Sequence, residues 1–346
     1  MKKLKAAIIG AGQVARISHI PNYISFQDEI EVVGVSDTNL QSAKEAAEQF
    51  QINGVYSNHT DMLDDLKPDI VSVCVPNKFH CQIVCDALER GCNVLCEKPP
   101  AITVEEAEKM HNTAIKNNLF LSFGFHFRHN PDVAFLKEKI GNGEFGDIYA
   151  ARVQWNRRRG IPGWGNFTNK AIQGGGPLID IGVHMLDLAV FLMDYPEIDY
   201  VCATSHQKIG KRKGVGLMGD WDPDKFTVED GIFGFIKFKN GASINLETTF
   251  ALNMKEKDIR NVQLFGDRLG ATVFPLEVFG EDGNQLMNIS YLDREMEDLH
   301  YKSVANFIKT CLGKESLIVT SEQAVYIQKL ICALYASAER GKPIIL

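Results

Sequence analysis

Ala6-Ala7-Ile8-Ile9-Gly10-Ala11-Gly12-Gln13-Val14-Ala15 is the stretch that decides the fold. Ala6–Ile9 is a short apolar run with the character of a buried strand, and the glycines behind it allow a tight turn. Gly10 to Ala15 fits G-x-G-x-x-G/A, in which glycines bring a helix N-terminus up against a pyrophosphate. Such a match alone is weak, since a tight strand–helix turn without a ligand reads the same way. Its context is right: a helix is expected from Val14, and Asp37 closes a second strand, Val32–Ser36, roughly 20 residues on, as ribose recognition requires. Gly10, Gly12, Gln13 and Val14 are therefore candidate dinucleotide-binding residues, with Asp37 the candidate ribose ligand. A carboxylate there repels a 2′-phosphate, and Thr38-Asn39 follow it with no arginine, so NAD is expected over NADP.

The rest of the first 125 residues repeats the alternation. Strands are expected at Ile70–Val75, Asn93–Cys96 and Leu119–Phe123. Helices are expected at Leu40–Phe50, Asp61–Leu66, Phe79–Arg90 and Thr103–Asn117, the last opening on a capping box of Thr103 and Glu106. Strand–helix alternation predicts a doubly wound parallel sheet. Ligands bind such sheets at the carboxyl ends of strands, which directs attention to Pro76, Asn77 and His80 after the third strand and to Glu97-Lys98-Pro99-Pro100 after the fourth. Singly, Asn77 and His80 fit turn and cap positions equally well.

Beyond Phe127 the pattern changes to a helix at Asp132–Ile140, a strand at Ile148–Asn156, and a loop over Arg157–Gly176. Strands in series then follow at Asp199–Ser205, Gly231–Lys239, Ala242–Phe250, Asn261–Gly266 and Ala271–Phe274, with Asn240-Gly241 a hairpin signal. Such a series predicts a mostly antiparallel sheet with one free face, a common oligomer interface. Helices at Leu299–Leu312 and Ser321–Glu339 close the chain.

Gly174-Gly175-Gly176-Pro177-Leu178-Ile179-Asp180-Ile181-Gly182-Val183-His184-Met185-Leu186-Asp187 carries the chemistry. If a helix starts near Leu178, Asp180 and His184 share one face at i and i+4, and a carboxylate beside a histidine suits proton transfer near neutral pH. Asp187 fits a brace of that helix. Glu229-Asp230 reads as a loop pair, and His126, His129 and His206 as structural or exposed.

A length of 346 residues favours two domains, and a net charge of -7 argues against nucleic acid or an anionic membrane as partner. The basic cluster Lys208, Lys211, Arg212, Lys213 reads as a solvated loop. No run approaches the apolar length of a bilayer span, so a cytoplasmic protein is expected. Among the eight cysteines, Cys81, Cys85, Cys92 and Cys96 lack paired C-x₂-C spacing, so buried thiols are expected and no metal.

Gly10–Ala15, Pro76–His80, Glu97-Lys98-Pro99 and Gly174–Asp187 together resemble, in order and spacing, the Gfo/Idh/MocA family of glucose–fructose oxidoreductase and inositol dehydrogenase relatives. The resemblance covers essentially the whole chain. It implies an α/β fold with an N-terminal Rossmann domain over 1–126, on which 296–346 packs back, and a substrate-binding domain over 127–295. The large, mostly antiparallel open sheet of the second domain would support a homodimer or homotetramer. It also implies hydride transfer between a nicotinamide and a hydroxyl or keto carbon of a sugar, cyclitol or derivative. By position, Lys98 matches the family's active-site lysine, Asp180 its substrate-binding aspartate and His184 its acid/base histidine. Arg128, Arg157 and Trp164 fall at substrate-binding positions, Trp164 also near nicotinamide, while Arg158 and Arg159 fit a solvated loop. Some relatives oxidise a sugar only transiently, so an NAD-assisted glycoside hydrolase or lyase is the second reading. A non-catalytic NAD-dependent regulator is the third, opposed by the presence of Lys98, Asp180 and His184 together.

Overall fold

A computed structural model describes residues 3–291 and 298–346. The chain divides into two compact units, Met1–His129 with Asp298–Gln328, and Asn130–Glu297 with Lys329–Leu346. The division falls inside one helix, Ser321–Arg340. The expected return of all of 296–346 to the first domain is therefore split, because β15 (Ile344–Ile345) hydrogen-bonds to β8 (Ile198–His206) of the second unit.

The first unit holds a six-stranded sheet of β1 (Leu4–Ile9), β2 (Ile30–Ser36), β3 (Gly54–Tyr56), β4 (Ile70–Val73), β5 (Asn93–Cys96) and β6 (Leu121–Phe123). All pairings are parallel, in the order β3-β2-β1-β4-β5-β6. The order reverses between β1 and β4, so the switch point lies at their carboxyl ends, where the Gly10–Ala15 loop begins. Ala6, Ile8, Ile70 and Val71 are wholly buried, as residues of a sheet covered on both faces must be. The Thr103/Glu106 capping box is formed. After the fingerprint the chain makes a π-helical turn, Ala15–His19, before the α-helix Ile20–Ile24. Pro21, which has no amide hydrogen, sits at that seam.

The second unit holds a nine-stranded sheet in the order β14-β13-β12-β11-β7-β10-β9-β8-β15. Its further strands are β7 (Ile148–Arg157), β9 (Gly231–Phe238), β10 (Ser243–Thr249), β11 (Asp258–Gly266), β12 (Gly270–Thr272), β13 (Glu277–Asp282) and β14 (Gln285–Ser290). The β7–β10 pair is parallel and the rest are antiparallel. Lys239, Asn240, Gly241 and Ala242 connect β9 to β10, with Gly241 at φ +93. The Asp180/His184 segment is a π-helical turn, Leu178–Gly182, running into the α-helix Val183–Leu192. One span, Lys170–Leu192, does reach bilayer length with mean hydropathy 1.4, contrary to the sequence expectation, but 89% of that window is buried. Its apolarity is that of a core helix packed on all sides.

Candidate active site

In the first unit, Gly10 sits at φ +95, and a Cβ there would lie 2.4 Å from the Cys74 carbonyl oxygen. Only glycine fits, because the end of β1 is held closely between its two neighbours: the Gly10 N–H donates to Ser36 O of β2 at 2.8 Å, and the Cys74 N–H, just past β4, donates to Ile9 O at 2.7 Å. At Gly12 a Cβ would meet no atom within 4 Å, so the loop is open at the face where such a turn receives a phosphate. Gln13 is exposed and Val14 half-buried beside it. Asp37 accepts the Ala11 N–H at 2.8 Å through Oδ2 and the Asn39 N–H at 2.8 Å through Oδ1, which holds its carboxylate against the same loop. These residues fit a dinucleotide bound across the carboxyl ends of β1 and β2.

Pro76 and Asn77 form a half-buried turn after β4. His80 is fully buried, with Nδ1 2.9 Å from Pro99 O and Nε2 2.9 Å from Val75 O. Burial pushes the imidazole down against the pull of those carbonyls, so as a neutral ring it donates to one of them at a time. His80 thus ties the loop after β4 to the loop after β5. In that second loop the Glu97 carboxylate meets His19 Nε2 at 2.9 Å and accepts the Lys98 N–H at 3.2 Å. Burial alone would raise this carboxyl, but the His19 hydrogen bond and the charges of His19, Lys98 and His300 outweigh it and hold it at about 2. Lys98 is half-buried. His126 stacks on His300 with ring centroids 4.0 Å apart, and burial pushes the His126 imidazole down to about 3. Arg128 is 2% exposed and donates to Ile318 O at 3.2 Å and Gln323 Oε1 at 2.5 Å, so the structure places it inside the first unit.

In the second unit, His184 is buried at the start of its α-helix, and its ring lies 6.0 Å from that of Trp155 on β7. Strand parity puts Trp155 and Arg157 on one face of β7, and register places Arg260 of β11 opposite Trp155. The Arg157 and Arg260 guanidinium carbons lie 5.5 Å and 5.4 Å from the centre of that indole ring. The indole N–H donates to Asp258 Oδ1 at 3.2 Å. Burial pushes the Arg157 guanidinium down, and Asp180 and then Asp258 oppose the shift. Asp180 and Arg157 are therefore electrostatic neighbours, and His184, Asp180, Trp155, Arg157, Arg260 and Asp258 make one cluster of matched charge. Arg158 and Arg159 instead donate to the carbonyls of Lys255 and Leu252, both at 3.2 Å. Trp164 is 46% exposed and packs edge-on to Phe167. Asp187 is buried within the helix.

Glu229 is more than half of a loop pair. Its carboxylate accepts the Gly176 N–H at 2.9 and 3.0 Å, the Leu178 N–H at 3.4 Å and the Tyr335 O–H at 2.8 Å. It thereby satisfies the open N–H groups where the Asp180/His184 segment begins. Gly175 is required there, since its Cβ would lie 2.0 Å from Tyr335 Oη. Asp230 accepts the N–H groups of Lys208, Ile209 and Gly210 at 2.6, 2.5 and 2.9 Å. Sequence reasoning missed Trp155 and Arg260, although strand parity with Arg157 was a usable signal for Trp155. It had no signal for Tyr335 or His19. Among the described residues, no group of His, Cys, Asp or Glu is placed to hold a metal.

A family model described as "Oxidoreductase family, NAD-binding Rossmann fold" matches residues 4–125, and its "C-terminal alpha/beta domain" companion matches 137–346. The chain is 45% identical over 338 residues to D-glucoside 3-dehydrogenase of Escherichia coli (strain K12), covering 98% of this chain and 96% of that one. It is 34% identical over 213 residues to glucose-6-phosphate 3-dehydrogenase of Bacillus subtilis (strain 168), covering 60% and 58%. Among solved structures, levoglucosan dehydrogenase in complex with NADH shares the fold, with TM-score 0.84, 21% identity and 99% of each chain covered.

Proposed function

The chain belongs to the Gfo/Idh/MocA oxidoreductase family, as a nicotinamide-dependent dehydrogenase acting on CH–OH groups, and on that premise we propose that it oxidises a ring hydroxyl of an uncharged glucoside, at carbon 3, with NAD. The His184 cluster carries this reading. Two guanidiniums, Arg157 and Arg260, stand against two carboxylates, Asp180 and Asp258, around one indole. That balance suits neutral hydroxyls, which need donors and acceptors, and leaves no surplus positive charge for a phosphate. The 45% identity to a D-glucoside 3-dehydrogenase supports the same choice of substrate.

The nicotinamide supplies the hydride acceptor. The His184 imidazole takes the hydroxyl proton as the C–H bond gives up its hydride and the carbon becomes a ketone. Asp180 accepts a hydrogen bond from a neighbouring hydroxyl and fixes the sugar's orientation. The Lys98 ammonium donates to the reacting oxygen and stabilises charge that develops there. Asp37 favours NAD over NADP by charge, its carboxylate already fixed by Ala11 and Asn39. The free face of the second sheet, where Tyr200 meets Phe235 at 6.2 Å and His206 meets Phe233 at 6.0 Å, supports a homo-oligomer. The free, buried thiols Cys74, Cys81, Cys85, Cys92 and Cys96 suit the cytosol.

NADH formation with methyl glucosides, free hexoses and hexose phosphates tests the reading. His184→Ala and Lys98→Ala should each lose at least ~10²-fold in kcat, the usual contribution of a positioned acid/base group. Undiminished turnover in either variant overturns its role. Release of sugar without NADH would replace the dehydrogenase with a transient-oxidation hydrolase.

A further inference from the structure

We propose that His19 is a positioning residue that locks Glu97, and through it Lys98, to the fingerprint loop; the proposal rests on Lys98 acting on substrate. The dinucleotide loop ends at Ala15, and the same residue begins the π-helical turn that ends at His19. π-turns of this kind re-aim side chains and recur at functional sites. Here the turn delivers His19, 3% exposed, under the sheet.

Its two ring nitrogens are both used. Nε2 lies 2.9 Å from Glu97 Oε1, and because a carboxylate only accepts, Nε2 carries the hydrogen. Nδ1 lies 3.0 Å from Ser72 Oγ on β4, which in turn lies 3.0 Å from Tyr23 Oη in the following α-helix. The other Glu97 oxygen accepts the Lys98 N–H at 3.2 Å. Tyr23, Ser72, His19 and Glu97 thus form a continuous buried chain that ends on the backbone of the active lysine. Gly124 leaves space for the carboxylate, since a Cβ there would lie 3.0 Å from Oε2.

Without His19, Glu97 keeps its burial and loses the hydrogen bond that holds it ionised. The groups that face it are then Lys98 on its own loop, His300 from the helix Leu299–Cys311, the His126 ring stacked on His300, and the buried Cys74 and Cys96 thiols at β4 and β5. Burial, the strongest influence acting on this carboxyl, raises it.

The test compares pH profiles of kcat and the NADH dissociation constant for wild type, His19→Leu, which carries no donor, Glu97→Gln, the double variant and Lys98→Ala. His19→Leu should lose about tenfold in kcat, the scale of a reacting group displaced by a fraction of an ångström. It should also show a new acidic limb that wild type lacks, while binding NADH within about twofold of wild type. Glu97→Gln should lose kcat similarly with no new limb, and the double variant should match Glu97→Gln. A purely structural His19 would lower the melting temperature and leave the folded enzyme's profile unchanged. Should His19→Leu not fold, Glu97→Gln decides: wild-type kcat overturns the proposal, and a pH-independent loss supports it. Lys98→Ala inactive with His19→Leu unchanged overturns this proposal alone. Lys98→Ala at full turnover removes the role of Lys98 and the proposal with it.

Discussion

Glu229→Ala should loosen the start of the Asp180/His184 segment more than any comparable surface change. The substitution strips the acceptor from the Gly176 N–H at 2.9–3.0 Å, from the Tyr335 O–H at 2.8 Å and, more weakly, from the Leu178 N–H at 3.4 Å. Hydrogen bonds to a charged group contribute about 1.5–3 kcal/mol each, and the two short ones together make a local loss of ~3 kcal/mol or more. At 1.4 kcal/mol per decade, that raises the local opening equilibrium by roughly 10²-fold. Amide hydrogen exchange of a peptide covering 174–187 reads this directly, and kcat should fall with it. Glu229→Gln keeps the volume and an acceptor, and should stay within about 1 kcal/mol of wild type. The two variants also differ in pH response. Burial raises the Glu229 carboxyl, so the folded state resists its ionisation. Below the unfolded carboxylate pKa of about 4.3 this contributes nothing; above it, stability falls until the raised folded value is passed. Glu229→Gln should remove that decline, a difference visible in melting temperature against pH. Exchange in Glu229→Ala within twofold of wild type would refute the brace.

Four other substitutions probe the remaining parts. Gly10→Ala places a Cβ 2.4 Å from Cys74 O in a left-handed backbone, which alone costs about 1–2 kcal/mol and should weaken NAD binding at least tenfold by calorimetry. Gly12→Ala meets no protein atom within 4 Å, so it should keep the wild-type melting temperature while NAD affinity falls; unchanged affinity would mean the open face at Gly12 is not where phosphate binds. Trp155→Ala removes the ring that Arg157 and Arg260 share, and at about 0.5–2 kcal/mol per cation–π contact should cut kcat/KM for the proposed glucoside roughly tenfold, with NADH binding unchanged. Asp37→Ser should raise the NADP-to-NAD ratio of kcat/KM by about tenfold or more, equal to removing ~1.4 kcal/mol of repulsion, and an unchanged ratio would detach cofactor choice from this carboxylate.

What sequence revealed and what it hid follow from distance along the chain. Gly10–Ala15, the strand before it and Asp37 lie within one βαβ unit, where local sterics and phosphate chemistry dictate residue type. The short strands escaped notice: β3 is three residues long and β15 two, too few for periodicity to register. β14 is exposed over most of its length, so no buried face marks it. Long-range partners are invisible for a different reason. Tyr335 reaches Glu229 across 106 positions and His19 reaches Glu97 across 78, and nothing local in either sequence requires the other. Nor did the sequence show what holds Arg128 and His80 in place: Arg128 donates to Ile318 O and Gln323 Oε1, and His80 lies between the Val75 and Pro99 carbonyls, partners that no local pattern names.

Two buried glutamates show how one residue type does two kinds of work. Glu97 faces His19, Lys98 and His300, groups that carry or can acquire positive charge, and its carboxyl is held down to about 2 despite its burial. Glu229 faces only N–H and O–H donors, neutral dipoles that offset burial incompletely, and its carboxyl is raised. A carboxylate fixed in its charge holds the loop of Lys98 in one electrostatic state over the whole working pH range. A carboxylate that can be protonated gives the Gly174–Gly176 turn a bond strength that varies with pH. The partners therefore separate the roles: cations where the charge must persist, neutral donors where only the shape must.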